Sequence, residues 1–176
     1  MSVMTKEKPS SAGPATTARR PVERATRWAA GWLAGHSINL LRVSLGLVFL
    51  GFGALKFVPG ASPAEDLVAR TVDRLSFGLV PDRPALLLTA VAECFIGVTL
   101  ISGRLLKVGL LVLAGSMVGI LSPLVLFFPD LFPGAPTLEG QYVLKDIVLV
   151  AAGLVVAAQA LGAKLVSGPA RRQTRG

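Results

Sequence analysis

Cysteine and histidine are almost missing from this chain, with one of each in 176 residues. A lone Cys94 cannot close an internal disulfide, and it excludes the paired-thiol chemistry of membrane thiol oxidoreductases. With His36 as the single imidazole, no cluster of metal ligands can be argued from the sequence. Charge is also scarce: 16% of the residues carry it, against about 25% in a soluble domain. Hydrophobic residues reach 52%, so an ordinary soluble domain is excluded and an integral membrane protein is expected. No Gly-rich phosphate loop follows a strand pattern and no Ser/His/Asp set is available, which removes nucleotide and hydrolase chemistry. A cleavable signal peptide is not expected either, because the first apolar run starts only after about 35 polar residues.

The uncharged positions are gathered into long runs. Between Lys107 and Asp130 lie 22 uncharged residues, and between Arg83 and Arg104 lie 20 with Glu93 as their one formal charge. Seventeen separate Asp146 from Lys164, and helix extended upstream through Val143 brings that run to spanning length. The first run is the shortest, since Arg42 and Lys56 enclose 13 residues; both side chains are long enough to reach headgroups or a partner. About 20 residues cross roughly 30 Å of hydrocarbon. The expected fold is therefore all-α, an integral membrane four-helix bundle occupying 37–162, with spans at 38–58, 84–103, 106–128 and 142–161.

The flanks and connections have their own signals. Residues 1–20 are rich in Ser, Thr, Pro and Ala and predict a disordered basic arm. Residues 21–36 carry Trp28 and Trp32 beside Arg24 and Arg27, which predicts a short interfacial helix ended by the small polar turn "GHS" around His36. Residues 163–176 form a basic tail. After the first span, "SPAEDLVARTVDRLSFGLVP" predicts an amphipathic helix of about 15 residues. Ser62 as N-cap, Pro63 at the first helical position and Glu65 two residues on would make a capping box. Leu67, Val68, Val72, Leu75 and Leu79 would share its apolar face. "GRLLK" is so short that the second and third spans must be antiparallel neighbours. Gly115 and Gly119, in "GSMVG", are expected to permit close helix contact, and Pro123 to kink the third span.

Lysine and arginine placement sets the expected orientation. Six fall in residues 1–37, two in the "GRLLK" turn and four in the tail, whereas the segment from Pro129 to Gln141 has none. Both termini are expected on the cytoplasmic side, N-in/C-in. The net charge of +8 is then a topology signal with attraction to anionic lipid, and nucleic acid is not an expected partner. The lipid bilayer is; a homo-oligomer stays open.

Charged residues inside the spans are costly, roughly 2.5–3.5 kcal/mol each on insertion scales. Glu93 is the deepest of them. Lys56 near the end of the first span, and Lys145 and Asp146 near the start of the fourth, fall at depths from which they can meet it. These four form the expected intramembrane cluster, opening outward beneath the amphipathic helix. Arg42 lies on the other half of the first span and is expected to serve headgroups or a helix-end carbonyl. Three readings of the cluster stand: a structural ion-pair network, a pocket for a polar-headed lipophile such as a quinone, and a proton or ion path. A cavity beside Glu93 wide enough for an aromatic ring would favour the second. A packed knot would favour a scaffold, and a through-going wet passage would favour transport.

The stretches "RVSLGLVFLGFGALKFVPG" (Arg42, Gly46, Gly53, Lys56), "AECFIGVTLISGR" (Glu93, Gly97, Gly103) and "APTLEGQYVLKDIVLVAAG" (Glu139, Gly140, Lys145) resemble the DoxX-like family of small four-helix bacterial membrane proteins, close to its YkgB-like branch. The resemblance covers about Leu40 to Ala158. It implies the bacterial cytoplasmic membrane and an association with redox or oxidative-stress functions. Some relatives are subunits of a thiosulfate:quinone oxidoreductase; others are linked to a complex with superoxide dismutase and a sulfurtransferase, or to reactive-chlorine resistance. It supplies no reaction. With no internal cofactor motif, catalysis by this chain would need a quinone or redox partner subunits.

Overall fold

The computed structural model describes residues 15–163, with side chains from Pro21 onward. Residues 1–14 and 164–176, most of the expected arm and tail, lie outside the described residues. The chain divides into two compact units, Met1–Ser37 and Ile38–Gly176, and helix α1 (Ala15–Leu55) has residues in both.

In the first unit, two expectations are corrected. Residues 15–20 belong to α1, and the turn expected at Gly35–Ser37 is helical. One glycine costs a helix about 1 kcal/mol relative to alanine, too little to interrupt a run containing Ala29, Ala30, Leu33 and Ala34. His36 reinforces the helix: its Nδ1 lies 2.9 Å from the Trp32 carbonyl oxygen, and its ring stacks on the Trp32 indole at 4.9 Å.

The second unit continues through α2 (Glu65–Leu75), α3 (Asp82–Ser102), α4 (Leu106–Leu121), α5 (Pro123–Leu126), α6 (Phe128–Leu131) and α7 (Leu138–Ala160). No strand occurs among the described residues. Four helical stretches are long and apolar enough to cross a membrane: Pro21–Leu55, Asp82–Ser102, Leu106–Leu126 and Leu138–Ala160. Their outward faces are greasy, with Leu111, Val118, Val148 and Leu154 all exposed, as a chain solvated by acyl chains requires. This is a multi-pass membrane protein.

Local chemistry explains the boundaries. Gly103 takes the left-handed conformation (φ 71°) that ends α3, and its N–H bonds the Thr99 carbonyl. Three residues on, at Leu106, α4 begins, so α3 and α4 are antiparallel neighbours. Pro123 has no N–H to offer the Gly119 carbonyl four residues back. The Ser122 hydroxyl donates to that same oxygen at 2.8 Å, so the kink strands no acceptor in hydrocarbon. At α7 the Thr137 hydroxyl caps the first turn, accepting from the Gly140 N–H at 3.1 Å.

The capping box expected at α2 does not form. The helix starts at Glu65, its N-cap Ala64 makes no side-chain bond, and the buried Ser62 hydroxyl has no partner. Glu65 does reach back, but to the Gly60 N–H at 2.7 Å. Pro63 and Ala64 are spent in turns, which shifts the helix start beyond Ser62's reach. Leu79 also leaves the expected apolar face: the helix ends at Leu75 and Leu79 is exposed.

Glycine sets the distance between α1 and α3. A Cβ on Gly97 would fall 2.7 Å from the Leu50 nitrogen and 2.8 Å from the Gly46 oxygen. One on Gly46 would fall 2.8 Å from Ile101 Cγ1, and one on Gly53 2.9 Å from Glu93 Cβ. Below the level of Gly53 the bundle is filled by Leu45, Phe49, Ile96, Leu100, Leu113, Met117 and Val156. By contrast, Gly115 and Gly119 do not bring helices together: a Cβ at either would meet nothing within 4 Å. The expectation of close contact there is corrected, because both residues face open space rather than a neighbouring backbone. Alanine at either position is therefore expected to raise stability by about 0.5–1 kcal/mol through helix propensity, read as a higher melting temperature in detergent.

Candidate functional site

The space that Gly115 and Gly119 leave open belongs to a cavity of about 490 Å³ lined by all four spans and α2. Its roof comes from α2, where Leu67 and Thr71 are buried and line the cavity beside Val68, Val72 and Leu75. The charged face of α2 turns outward, as its amphipathic pattern requires.

A step in the bundle makes room for this arrangement. Lys56 is the first residue past α1, and its Nζ donates to Glu93 Oε2 at 2.6 Å, both side chains buried. Glu93 lies eleven residues into α3, about 16 Å along its axis. The end of α1 thus stops well short of the level where α3 begins, and α2 fills the shelf above it. Gly53, one turn before Lys56, allows the α1 backbone to lie against Glu93 and Cys94, so that the lysine reaches the carboxyl without crossing lipid. Cys94 packs half-buried in this contact.

The other residues singled out in the sequence separate into distinct places. Asp146 lines the same cavity and is close enough to interact electrostatically with both Glu93 and Lys56. Lys145 does not line the cavity; it is exposed, with its ammonium 5.0 Å from the centre of the Tyr142 ring. Its membership of the cluster is corrected on geometric grounds. Successive residues on a helix are about 100° apart, so when Asp146 faces inward with Tyr142 and Leu149, Lys145 turns away. Arg42 packs its guanidinium against Gly103 at the C-terminal end of α3, where the unpaired carbonyls favour a cation, although its Nε has no partner of its own.

Glu139 serves the roof rather than the cavity. Its Oε2 accepts from Arg70 at 2.8 Å, tying α2 to the start of α7, and the same guanidinium lies 5.4 Å from the centre of the Phe127 ring. Both side chains are partly exposed, so a double-mutant cycle of Arg70→Ala and Glu139→Ala should give a coupling below about 1 kcal/mol.

Four polar residues of the cavity wall escaped the sequence reading: Thr71, Thr89, Ser116 and Tyr142. Thr71 and Thr89 have spent their hydroxyl protons on the carbonyls of Leu67 and Ala85. The signal that finds two of them is helical spacing, since Thr89 precedes Glu93 by four residues and Tyr142 precedes Asp146 by four, which puts each pair on one face. Phe52 meets Tyr142 edge-on at 6.5 Å, covering the side of the cavity between α1 and α7.

The cavity does not continue through the bundle. The packed core around Leu100 and Val156 fills the half away from α2. What remains is a dead-end chamber, largely apolar, with one amine and two carboxyls in its wall.

A DoxX family profile matches residues 37–128. The chain belongs to the DoxX family. No curated protein and no solved structure matches it. The matched stretch of this DoxX protein includes Arg42, Gly46, Gly53, Lys56, Glu93 and Gly97, which are the residues that seat α1 on α3 and form the buried pair. Asp146 and Glu139 fall outside it.

Proposed function

We propose that this DoxX protein is a redox-associated subunit of the bacterial cytoplasmic membrane, of the YkgB-like branch, and that its cavity holds a quinone-like lipophile. The observation carrying this reading is a chamber of about 490 Å³, within the roughly 300–1,000 Å³ of small-molecule sites, whose apolar walls end on the buried Lys56–Glu93 pair. The Lys56 ammonium can donate to one ring oxygen of a quinone. A quinol hydroxyl can donate to a carboxylate at the other. Reduction of a quinone consumes two electrons and two protons; Glu93 and Asp146 are the groups positioned to hold the protons, and a partner redox subunit supplies the electrons. The Lys/Arg distribution supports a topology with both termini in the cytoplasm, so that α2 and the cavity roof face outward.

The test is a titration of the protein in nanodiscs with a ring-intact benzoquinone. Lys56→Met should weaken binding roughly tenfold to hundredfold, the loss of one hydrogen bond to a charged group, while Lys145→Met should leave it unchanged. Equal affinity in wild type and Lys56→Met would reduce the pair to a structural brace.

A further inference from the structure

Four residues of the cavity wall are themselves exposed: Phe52 of α1, Leu75 of α2, Leu88 of α3, at 67%, and Gly115 of α4. Leu88 and Gly115 lie on the antiparallel neighbours α3 and α4, and neither is covered by α2 or an aromatic ring contact. Towards the α3–α4 turn the two helices are held together where Gly109 seats against the Thr99 side chain. Further along, Ala92, Val112 and Gly119 join Leu88 and Gly115 in the cavity wall, and a Cβ on Gly115 or Gly119 would meet nothing within 4 Å, so open space lies against both helices there. Leu88 lies six residues into α3, about 9 Å along its axis, and the exposed wall residues of these two helices, Leu88 and Gly115, are apolar or glycine. Thr89 and Ser116 beside them are only partly exposed, and the Thr89 proton is already given to the Ala85 carbonyl, so the outer surface of the gap suits acyl chains better than water.

We infer that the cavity is filled sideways from the lipid phase, through the gap between α3 and α4, and that its occupant is a tailed lipophile whose tail lies over Gly115 and Gly119. These two glycines are specificity-determining for the tail, whereas Lys56 and the carboxyls read the head. This assignment gives a reason for glycine at two helix positions where a methyl would meet no protein atom within 4 Å, because both positions, unlike the equally open Gly31, Gly35 and Gly51, line the cavity. The inference rests on the lipophile reading of the cavity and adds the route and the tail.

The experiment compares wild type with Gly115→Leu and Gly119→Leu in nanodiscs, using a ring-only benzoquinone and the same ring with a long isoprenoid tail, each affinity expressed per mole fraction in the lipid. The expected result is a loss of at least tenfold for the tailed probe in both leucine variants, with the ring-only affinity kept. The corresponding alanine variants and a melting curve for each protein control for folding. If both probes bind wild type and neither is affected by leucine, or if leucine weakens both probes equally, the sideways route is overturned while the pocket survives. If wild type binds neither probe, the lipophile reading itself is overturned, and the route with it.

Discussion

Glu93→Gln should destabilise the protein by about 3–5 kcal/mol, the cost of removing one partner from a buried ion pair. The substitution keeps the shape of the side chain but leaves the Lys56 ammonium buried without a countercharge. Lys56→Met should cost a similar amount for the mirror reason. The double variant, Lys56→Met with Glu93→Gln, removes both charges and should recover most of the loss, because two neutral groups of similar volume need no compensation. Denaturant titration in detergent, with all four proteins in one cycle, measures this. A Glu93→Gln protein as stable as wild type would mean that the carboxyl is protonated or solvated and that the pair contributes nothing.

The second large effect is expected at a residue that touches no charge. Gly97→Ala places a methyl 2.7 Å from the backbone nitrogen of Leu50 and 2.8 Å from the carbonyl oxygen of Gly46. Backbone cannot rotate aside as a side chain can, so α1 must lift from α3. Overpacking of this kind costs about 1–3 kcal/mol. Because Lys56 reaches Glu93 only while Gly53 keeps the α1 backbone against that residue, the same change should also weaken binding of the ring-only quinone. Alanine at Gly115 is the informative contrast, since the same added methyl meets open space there and should raise the melting temperature.

That contrast also marks what could be read from the sequence. Spacing of glycines four apart is the same in "GSMVG" as in many tight helix contacts, and composition cannot say whether the facing surface is a backbone or a void. The four spans were legible because lipid imposes a constraint that hydropathy reports directly, a run of about 20 apolar residues. The roof was legible because an amphipathic period places Leu67, Val68, Val72 and Leu75 on one side of α2 and Asp66, Arg70 and Asp73 on the other. Helix starts and stops were less so. At "GHS" a weak local signal lost to the strong formers around it, and at Ser62 a turn consumed the residues that a capping box would have used.

Within the site, depth along the helices predicted that Lys56 and Glu93 fall at levels where they can meet, and the structure pairs them. Depth alone also admitted Lys145, because it ignores the angle around α7. Asp146 and Lys145 are adjacent in sequence and cannot both face inward. The step at the end of α1, which creates the chamber, has no sequence signature at all: it depends on where α1 seats against α3, and that is decided by Gly46, Gly53 and Gly97 acting together.

The claim on which the rest depends is that an amine and a carboxyl meet inside the bundle, at the wall of a lipid-accessible chamber. Solid-state NMR in bilayers, recoupling the Lys56 side-chain nitrogen to the Glu93 carboxyl carbon, addresses it without reference to any ligand. A strong dipolar contact, as the 2.6 Å separation of Nζ and Oε2 demands, is the predicted result. No transfer between these two sites in folded protein, with contacts to the lipid acyl chains in its place, would contradict the account.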